Sequence, residues 1–265
     1  MAQRAQERLD SEVEPRLIKT IHKLHGGAWA TLKELSLEPV PVGMSTSEDR
    51  ITVRMRVATG EQLAGYTPRP RAPSDGQLSL QLHQSALNNA AERLELNGRT
   101  FTLPELFDWI GKRLNRKANT LHEELPENVS ITFAQKDAVR IRCAAGRVEV
   151  LLSVAALTQG RNRWHDFTAR TYYAPAANGL QPQLVRDATI YLDGDSLRGK
   201  THFVLRTIFS KTLSRTRPWN LLSEKMTSDP RMAHLEITQF DVEEGWIGLA
   251  YSNKRVPANV ARRPK

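Results

Sequence analysis

A change of hydrophobic period within Gln77–Leu94 constrains the fold of this chain more than any other sequence feature. Leu78, Leu80 and Leu82 alternate with polar residues, which is the pattern of a half-buried strand. From Ser85 onward, apolar residues recur at the spacing of one helix face. These residues are Leu87, Ala90, Ala91 and Leu94. The segment therefore predicts a strand that runs directly into a helix.

Length and composition favour a folded globular chain. With 265 residues, of which 40% are hydrophobic and 25% charged, the chain is long enough to bury a core. Its sequence has no apolar run of the roughly 20 residues that a membrane helix needs, and its first residues do not form a secretory signal. We therefore expect a cytoplasmic location, or an extracytoplasmic one if the chain is a fragment. The single Cys143 follows strand alternation, so we interpret it as a buried core residue.

The net charge of +9 favours acidic partners such as phosphate backbones, lipid headgroups or acidic polysaccharides. The charge is unevenly distributed, because residues 196–223 contain six basic residues and no acidic one. The six are Arg198, Lys200, Arg206, Lys211, Arg215 and Arg217. Five more basic residues follow Asn253, where two prolines predict a disordered basic tail.

Proline-rich and periodic segments predict the organisation of the chain. The strongest linker pattern is TPRPRAPSDG, which has many prolines and few apolar residues. The predicted parts are a helical and strand appendage at 1–66, this linker at 67–76, a main domain at 77–252 and the tail at 253–265. Within the appendage, the patterns predict a helix over Ala2–Leu37, an extended linker over Glu38–Gly43 and a strand over Arg50–Val57.

The main domain is predicted to have an α+β fold, in which a curled antiparallel β-meander packs around a long amphipathic helix. Thr102 and Glu105 have the spacing of a capping box at the start of one helix. The long helix is predicted over His202–Arg217. The predicted meander strands are Val129–Phe133, Val139–Cys143, Val148–Val154, Phe167–Tyr173 and Leu184–Leu192, and a hairpin of Leu235–Val242 and Gly245–Tyr251 closes the chain.

The sequence carries no recognisable motif for catalysis, a cofactor or a metal. His22 and His25 could share a helix face, but no nearby ligand completes a metal set. Asp193-Gly194-Asp195 is interpreted as a turn, and Arg161–Asp166 as a loop that could carry a functional contact. We therefore predict a non-catalytic protein without cofactor or metal, while an active site assembled from distant residues stays open.

The order of elements resembles that of the tubular lipid-binding group, which includes relatives of the bactericidal/permeability-increasing protein and small bacterial lipoproteins. The resemblance covers residues 77–252 and rests on element order and on the helix start SALNNAAERL. It implies a curled sheet that wraps a helix and leaves an apolar groove for a lipid or another amphiphile. The implied groove residues are Leu80, Leu82, Ile131, Phe133, Val150, Leu152, Tyr172, Leu205, Ile208, Phe209 and Leu213. Arg206, Lys211 and Arg215 are implied to contact anionic headgroups or an anionic membrane surface.

Other interpretations remain open at this point. A filled core needs the same apolar stripe on the helix as a lipid groove does. The basic charge also suits nucleic acid or another acidic polymer, although aromatic residues make up only 6% of the chain, which disfavours base stacking as the main contact. A third possibility is a structural domain of a larger assembly, with residues 2–35 contacting an upstream domain or a partner protein.

Overall fold

The described part of the chain contains three antiparallel sheets. The computed structural model describes residues 32–48, 50–62, 64–114, 125–195, 197–213 and 215–254. The largest sheet has eight strands and curls strongly into a half-barrel. Helices pack beside it, so the α+β class is confirmed. Most of the helix predicted over Ala2–Leu37, including His22 and His25, lies outside the described residues.

The first sheet is a hairpin of β1 (Val40–Thr46) and β2 (Ile51–Arg56). The strand prediction over Arg50–Val57 is confirmed. The extended conformation predicted over Glu38–Gly43 is confirmed from Val40 onward, but these residues form a strand that pairs with β2 and are not a linker. Pro41 is tolerated there since β1 is an edge strand with an irregularity between Pro41 and Gly43.

The change of hydrophobic period is confirmed as β3 (Leu78–His83) followed directly by α1 (Gln84–Glu92). Side chains of this helix hydrogen-bond to backbone groups at one edge of a neighbouring strand, β6 (Val139–Ala144). The Asn88 side chain accepts from the Ile141 amide at 2.8 Å and donates to the Ile141 carbonyl at 2.8 Å. Gln84 Oε1 accepts from the Cys143 amide at 2.8 Å. Side chains of α1 thus replace the missing strand partner.

The predicted capping box is confirmed between β4 (Thr100–Thr102) and α2 (Leu103–Arg113). The Thr102 amide donates to Glu105 Oε2 at 2.8 Å, and the Glu105 amide donates to Thr102 Oγ1 at 3.4 Å. Hydrogen bonds to Thr102 lower the pKa of the Glu105 carboxyl. The cap fixes the start of α2, which buries Leu103 and Leu106 against the sheet.

Two long strands form the centre of the curled sheet. They are β7 (Arg147–Gln159) and β8 (Asn162–Asn178). The shorter strands are β5 (Val129–Phe133), β6, β9 (Gln181–Arg186), β10 (Tyr191–Asp193) and β11 (Trp219–Asn220). The main order is β11-β9-β8-β7-β5-β4, while β6 pairs with β7 and β10 with β8. Because β5 and β6 pair with different halves of β7, the sheet is not the simple meander that was predicted.

Several predicted loops belong to strands instead. Residues 162–166 of the predicted loop Arg161–Asp166 lie in β8, because the turn falls at Gly160, whose φ of 57° suits glycine. The strand then continues to Asn178, beyond Tyr173, where the predicted strand ends. Leu184–Leu192 contains the end of β9 and the start of β10 rather than one strand.

The late helix α3 spans Thr201–Thr212, and the prediction of a long helix to Arg217 is wrong. Leu213 leaves the helical conformation with φ −104° and ψ 63°. Residue 217 precedes Pro218, which disfavours helical backbone, and the segment after Leu213 offers no further apolar face. The short helix α4 (Glu224–Thr227) and a 3₁₀ turn at Pro230–Met232 follow.

The predicted terminal hairpin is confirmed as β12 (Leu235–Glu243) and β13 (Trp246–Asn253). It takes β3 as a third strand, and this sheet packs on the inner face of the half-barrel. Residues 67–76 contain no helix or strand, yet Trp246 Nε1 donates to Thr67 Oγ1 at 3.0 Å and Gln81 Nε2 donates to the Pro70 carbonyl at 2.7 Å. The domain division stays a prediction, and residues 255–265 lie outside the described part.

Candidate functional site

Helix α3 packs its apolar face directly on one half of the curled sheet. Leu205 is fully buried, and the ring of Phe209 meets the ring of Phe167 edge-on at a centroid distance of 6.2 Å. The predicted groove residues in this buried cluster are Ile131, Phe133, Leu205, Ile208 and Phe209, with Leu213 half-buried at its margin. This part of the predicted groove is therefore a packed core.

The third sheet covers the other half of the inner face. Val150 shares a second buried cluster with Val242 and Ile247, while Leu82 packs at its margin. Leu152 contacts both clusters. The predicted groove residues are thus divided between two packed cores, one under α3 and one under β12 and β13.

Two predicted groove residues lie elsewhere. Leu80 is 40% exposed, since β3 pairs with β13 at the edge of the three-stranded sheet that the structure describes. Tyr172 lies on the outer face of β8, because the inward positions of this strand are taken by the buried Thr171 and Tyr173. The Tyr172 hydroxyl donates to Glu149 Oε1 at 3.3 Å on that outer face. Both residues are corrections to the predicted lining.

The three predicted headgroup contacts differ in what they bind. Arg206 Nε donates to the Ile190 carbonyl at 3.1 Å, and Arg215 Nη2 donates to the Asp187 carbonyl at 3.0 Å. Lys211 is exposed and lies at the rim of a cavity beside α3. Lys211 thus lines a cavity, while Arg206 and Arg215 donate to backbone carbonyls.

This cavity has a volume of about 320 Å³ and opens where β7 ends. Its lining residues are Pro126, Gln159, Phe203, Val204, Thr207, Ile208 and Lys211. Phe203 is 77% exposed, more than any other large hydrophobic side chain that the structure describes. Because this exposed ring lies at an opening lined partly by apolar side chains, the cavity is a candidate binding site. A second cavity, of about 460 Å³, is lined by Asn178, Leu180, Gln181, Glu224, Thr227 and Ser228.

A polar cluster lies on the inner face of the half-barrel. Thr171, Tyr173 and Arg186 are all buried there. Tyr173 and Arg186 are ladder partners between β8 and β9, and Trp219 stacks on the Tyr173 ring. Burial raises the pKa of the Tyr173 hydroxyl and lowers the pKa of the Arg186 guanidinium. Polar groups in such a position are candidates for ligand contact.

The outer face of the same sheet carries what we term the arginine–tyrosine surface, formed by Arg140, Arg142, Arg170, Tyr172 and Tyr191. Arg140 and Arg142 lie on β6, Arg170 and Tyr172 on β8, and Tyr191 on β10. Strand β7 separates β6 from β8, and β10 pairs with β8. The two tyrosine rings meet edge-on at a centroid distance of 5.9 Å. Glu149 forms ion pairs with Arg142 at 3.8 Å and with Arg170 at 3.5 Å, which offsets part of the positive charge.

A serine–histidine pair lies at the start of α1, where it caps the helix. His83 Nδ1 accepts from the Ser85 amide at 3.1 Å and lies 2.9 Å from Ser85 Oγ. The other ring nitrogen, Nε2, is buried close to Gly245. Burial lowers the pKa of this imidazole. Because Nδ1 already accepts the cap hydrogen bond, the pair has the geometry of a helix cap rather than of an activated nucleophile.

Neither a metal cluster nor a membrane-spanning helix is found in the described ranges. No group of three or more histidine, cysteine or acidic side chains there could hold a metal ion. No helix there is both long and apolar enough to cross a membrane. Asp193 ends β10, and the following Gly194 packs against Phe167, so this segment turns the chain at the sheet edge.

Phe203 and Arg186 were missed by the sequence prediction. Phe203 lies outside the apolar stripe of α3. A large apolar residue at such a position was the sequence signal that could have identified it as a candidate contact. Arg186 follows Leu184 at strand spacing in QPQLVRD, which places both on one face. The chain matches no protein-family model and no curated protein.

Proposed function

We propose that this chain is a non-catalytic binding domain that holds an amphiphile with an anionic headgroup at the cavity beside α3. The observation that carries the proposal is the combination of an exposed Phe203 and a basic Lys211 at one apolar-lined opening. Phe203, Thr207 and Lys211 are spaced four residues apart, so they follow one face of the helix.

The polarity of the opening suits an amphiphile. An acyl chain that entered the cavity would cover exposed surface of Phe203 and Val204, and each Å² of apolar surface removed from water contributes about 25 cal/mol. The Lys211 ammonium would then lie near the headgroup, where one basic residue contributes about 1 kcal/mol beside an anionic surface. An apolar interior with a basic rim therefore favours anionic over neutral headgroups.

Native mass spectrometry combined with organic extraction tests for an amphiphile that co-purifies with the full chain. Calorimetric titration with dodecanoate and with neutral dodecyl maltoside, both below their micelle concentrations, then separates tail from headgroup binding. Phe203→Ser should weaken binding of both probes several-fold, whereas Lys211→Glu should weaken dodecanoate selectively.

Matched controls are available on the outer face of the sheet. Tyr191→Ser removes another exposed aromatic ring, and Arg140→Glu reverses another exposed charge, both outside the cavity lining. These variants should bind both probes as the wild type does. The proposal is wrong if no amphiphile is extracted and neither probe binds, or if Phe203→Ser and Tyr191→Ser bind equally well.

Binding of single-stranded nucleic acid is a second candidate, supported by the arginine–tyrosine surface. Exposed tyrosine rings stack on bases, and neighbouring arginines contact phosphates. Fluorescence anisotropy with a labelled oligonucleotide should then show affinity that falls steeply with salt. Combining Arg140→Glu with Tyr191→Ser should abolish this binding, and Lys211→Glu should weaken it much less. Equal losses of affinity in the double variant and in Lys211→Glu would indicate that the oligonucleotide is attracted non-specifically to a basic protein.

A further inference from the structure

Arg186 is a buried cation that has no acidic partner among the described residues. It ends β9, is 7% exposed, and forms no ion pair with any carboxylate in the described chain. Its Nη1 lies 3.5 Å from Ser210 Oγ, at the outer limit of a hydrogen bond, and its Nε has no protein acceptor there. Since a guanidinium stays charged in proteins, this arrangement is unfavourable unless something else compensates the charge.

Two hydroxyl groups on the neighbouring strand β8 are also buried without a hydrogen-bond partner among the described residues. Thr171 and Tyr173 point to the same inner face of β8, and the side-chain oxygen of each is buried without a hydrogen-bond partner in the described chain. Tyr173 is the ladder partner of Arg186, and Thr171 is one diagonal step away. Burial raises the pKa of Tyr173, so its hydroxyl keeps its proton. All three groups are therefore able to donate a hydrogen bond.

The charges around this cluster are also positive. Arg215 is close enough to lower the pKa of Arg186 by repulsion, after the larger effect of burial. The nearest acid in sequence, Asp187, forms an ion pair with Arg147 at 3.6 Å instead. A set of buried donors in a positive environment is complementary to an anionic acceptor.

We propose that Thr171, Tyr173 and Arg186 form a binding site for an oxyanion, either a carboxylate or a phosphate group. The Arg186 Nε–H and the two hydroxyls donate to its oxygens, which satisfies all three orphan groups at once. The ligand reaches the site past Trp219, which is 40% exposed and covers the Tyr173 ring. Trp219 lies in the two-residue strand β11, which must separate from β9 to admit a ligand.

Four probes test the site on the full chain at constant ionic strength. Acetate and inorganic phosphate represent free oxyanions, and dodecanoate and dodecyl phosphate represent the headgroups of amphiphiles. Wild-type protein should respond saturably to at least one probe in thermal midpoint and tryptophan fluorescence. Arg186→Gln should weaken that response at least tenfold, and Thr171→Val and Tyr173→Phe several-fold each. Arg69→Gln, a change at an exposed arginine outside the cavity lining and the arginine–tyrosine surface, is the matched control and should respond as wild type does.

A second measurement separates a ligand site from a structural role. Without any probe, Arg186→Met should raise the thermal midpoint, because it removes an unpaired buried charge while keeping an apolar stem. The proposal is overturned if no probe binds wild type, if Arg186→Gln binds like wild type, or if Arg186→Met lowers the midpoint. A response to all four probes would identify the oxyanion alone as the ligand, and a response only to the alkyl probes would identify an amphiphile headgroup.

The oxyanion site is independent of the cavity beside α3. Phe203→Ser should therefore leave the responses to acetate and phosphate unchanged. Conversely, Arg186→Gln should leave dodecyl maltoside binding at the cavity unchanged. Failure of one proposal is thus distinguishable from failure of the other.

Discussion

The indole ring of Trp219 lies nearly parallel to the ring of Tyr173, with centroids 4.1 Å apart and an interplanar angle of 26°. Strand β11 contains only Trp219 and Asn220, which pair with Leu184 and Gln183. So short a strand gains little from backbone pairing alone. The aromatic stack therefore contributes much of the attachment of this edge strand to the half-barrel.

Trp219→Ala should lower the free energy of unfolding by about 1–2 kcal/mol, since it removes an aromatic pair and half-buried surface. Trp219→Phe keeps a ring over Tyr173 and should lose less than half as much. Urea denaturation of the two variants and wild type measures the difference. Equal stability of both variants would show that the stack does not hold the strand.

Leu205→Ala should lower the free energy of unfolding by about 2–5 kcal/mol, the usual cost of a cavity at a fully buried leucine. Leu205 has no exposed surface, and it lies between α3 and the sheet. Leu213→Ala, at the half-buried end of the helix, should cost clearly less. Chemical denaturation measures both. A small loss at Leu205 would mean that the space under α3 is not tightly packed.

Local patterns predicted the elements of this fold better than their partners. The alternation of Leu78, Leu80 and Leu82 identified β3, and the helical spacing after Ser85 identified α1. The same pattern could not show that β3 pairs with the distant β13, and so it placed Leu80 inside although it lies at an exposed edge. Pairing between distant strands leaves no local signal in a single sequence.

The candidate site was less predictable because it depends on exceptions to the usual patterns. The apolar stripe of α3 was identified correctly, but such a stripe builds a core or a groove equally well. Phe203 becomes a candidate contact residue only once the structure shows that it is exposed beside a cavity. Arg186 occupies an inward position that the alternation in QPQLVRD indicates, yet arginine is rarely buried without a partner.

The thiol of Cys143 should resist modification in the folded protein. It is buried, and burial raises its pKa to about 12. Because the thiolate is the reactive form, Ellman's reagent at pH 8 should react at the rate at which the protein opens, and fully in urea. The time course of absorbance in native buffer and in urea checks this. Immediate stoichiometric reaction in native buffer would contradict the buried position of β6.

The stability of the fold should fall as the pH drops below about 6.5, the pKa of a histidine in the unfolded chain. Burial lowers the pKa of His83 in the folded state, so the unfolded chain binds a proton first and is favoured by acid. The loss is at most about 1.4 kcal/mol per pH unit for one such group. Urea denaturation at pH 5.5 and 7.5 measures this loss of stability.

His83→Asn keeps an acceptor for the Ser85 amide and should flatten the pH dependence of stability, whereas His234→Asn, at an exposed position, should not. Equal slopes in wild type and His83→Asn would assign the acid sensitivity to another group.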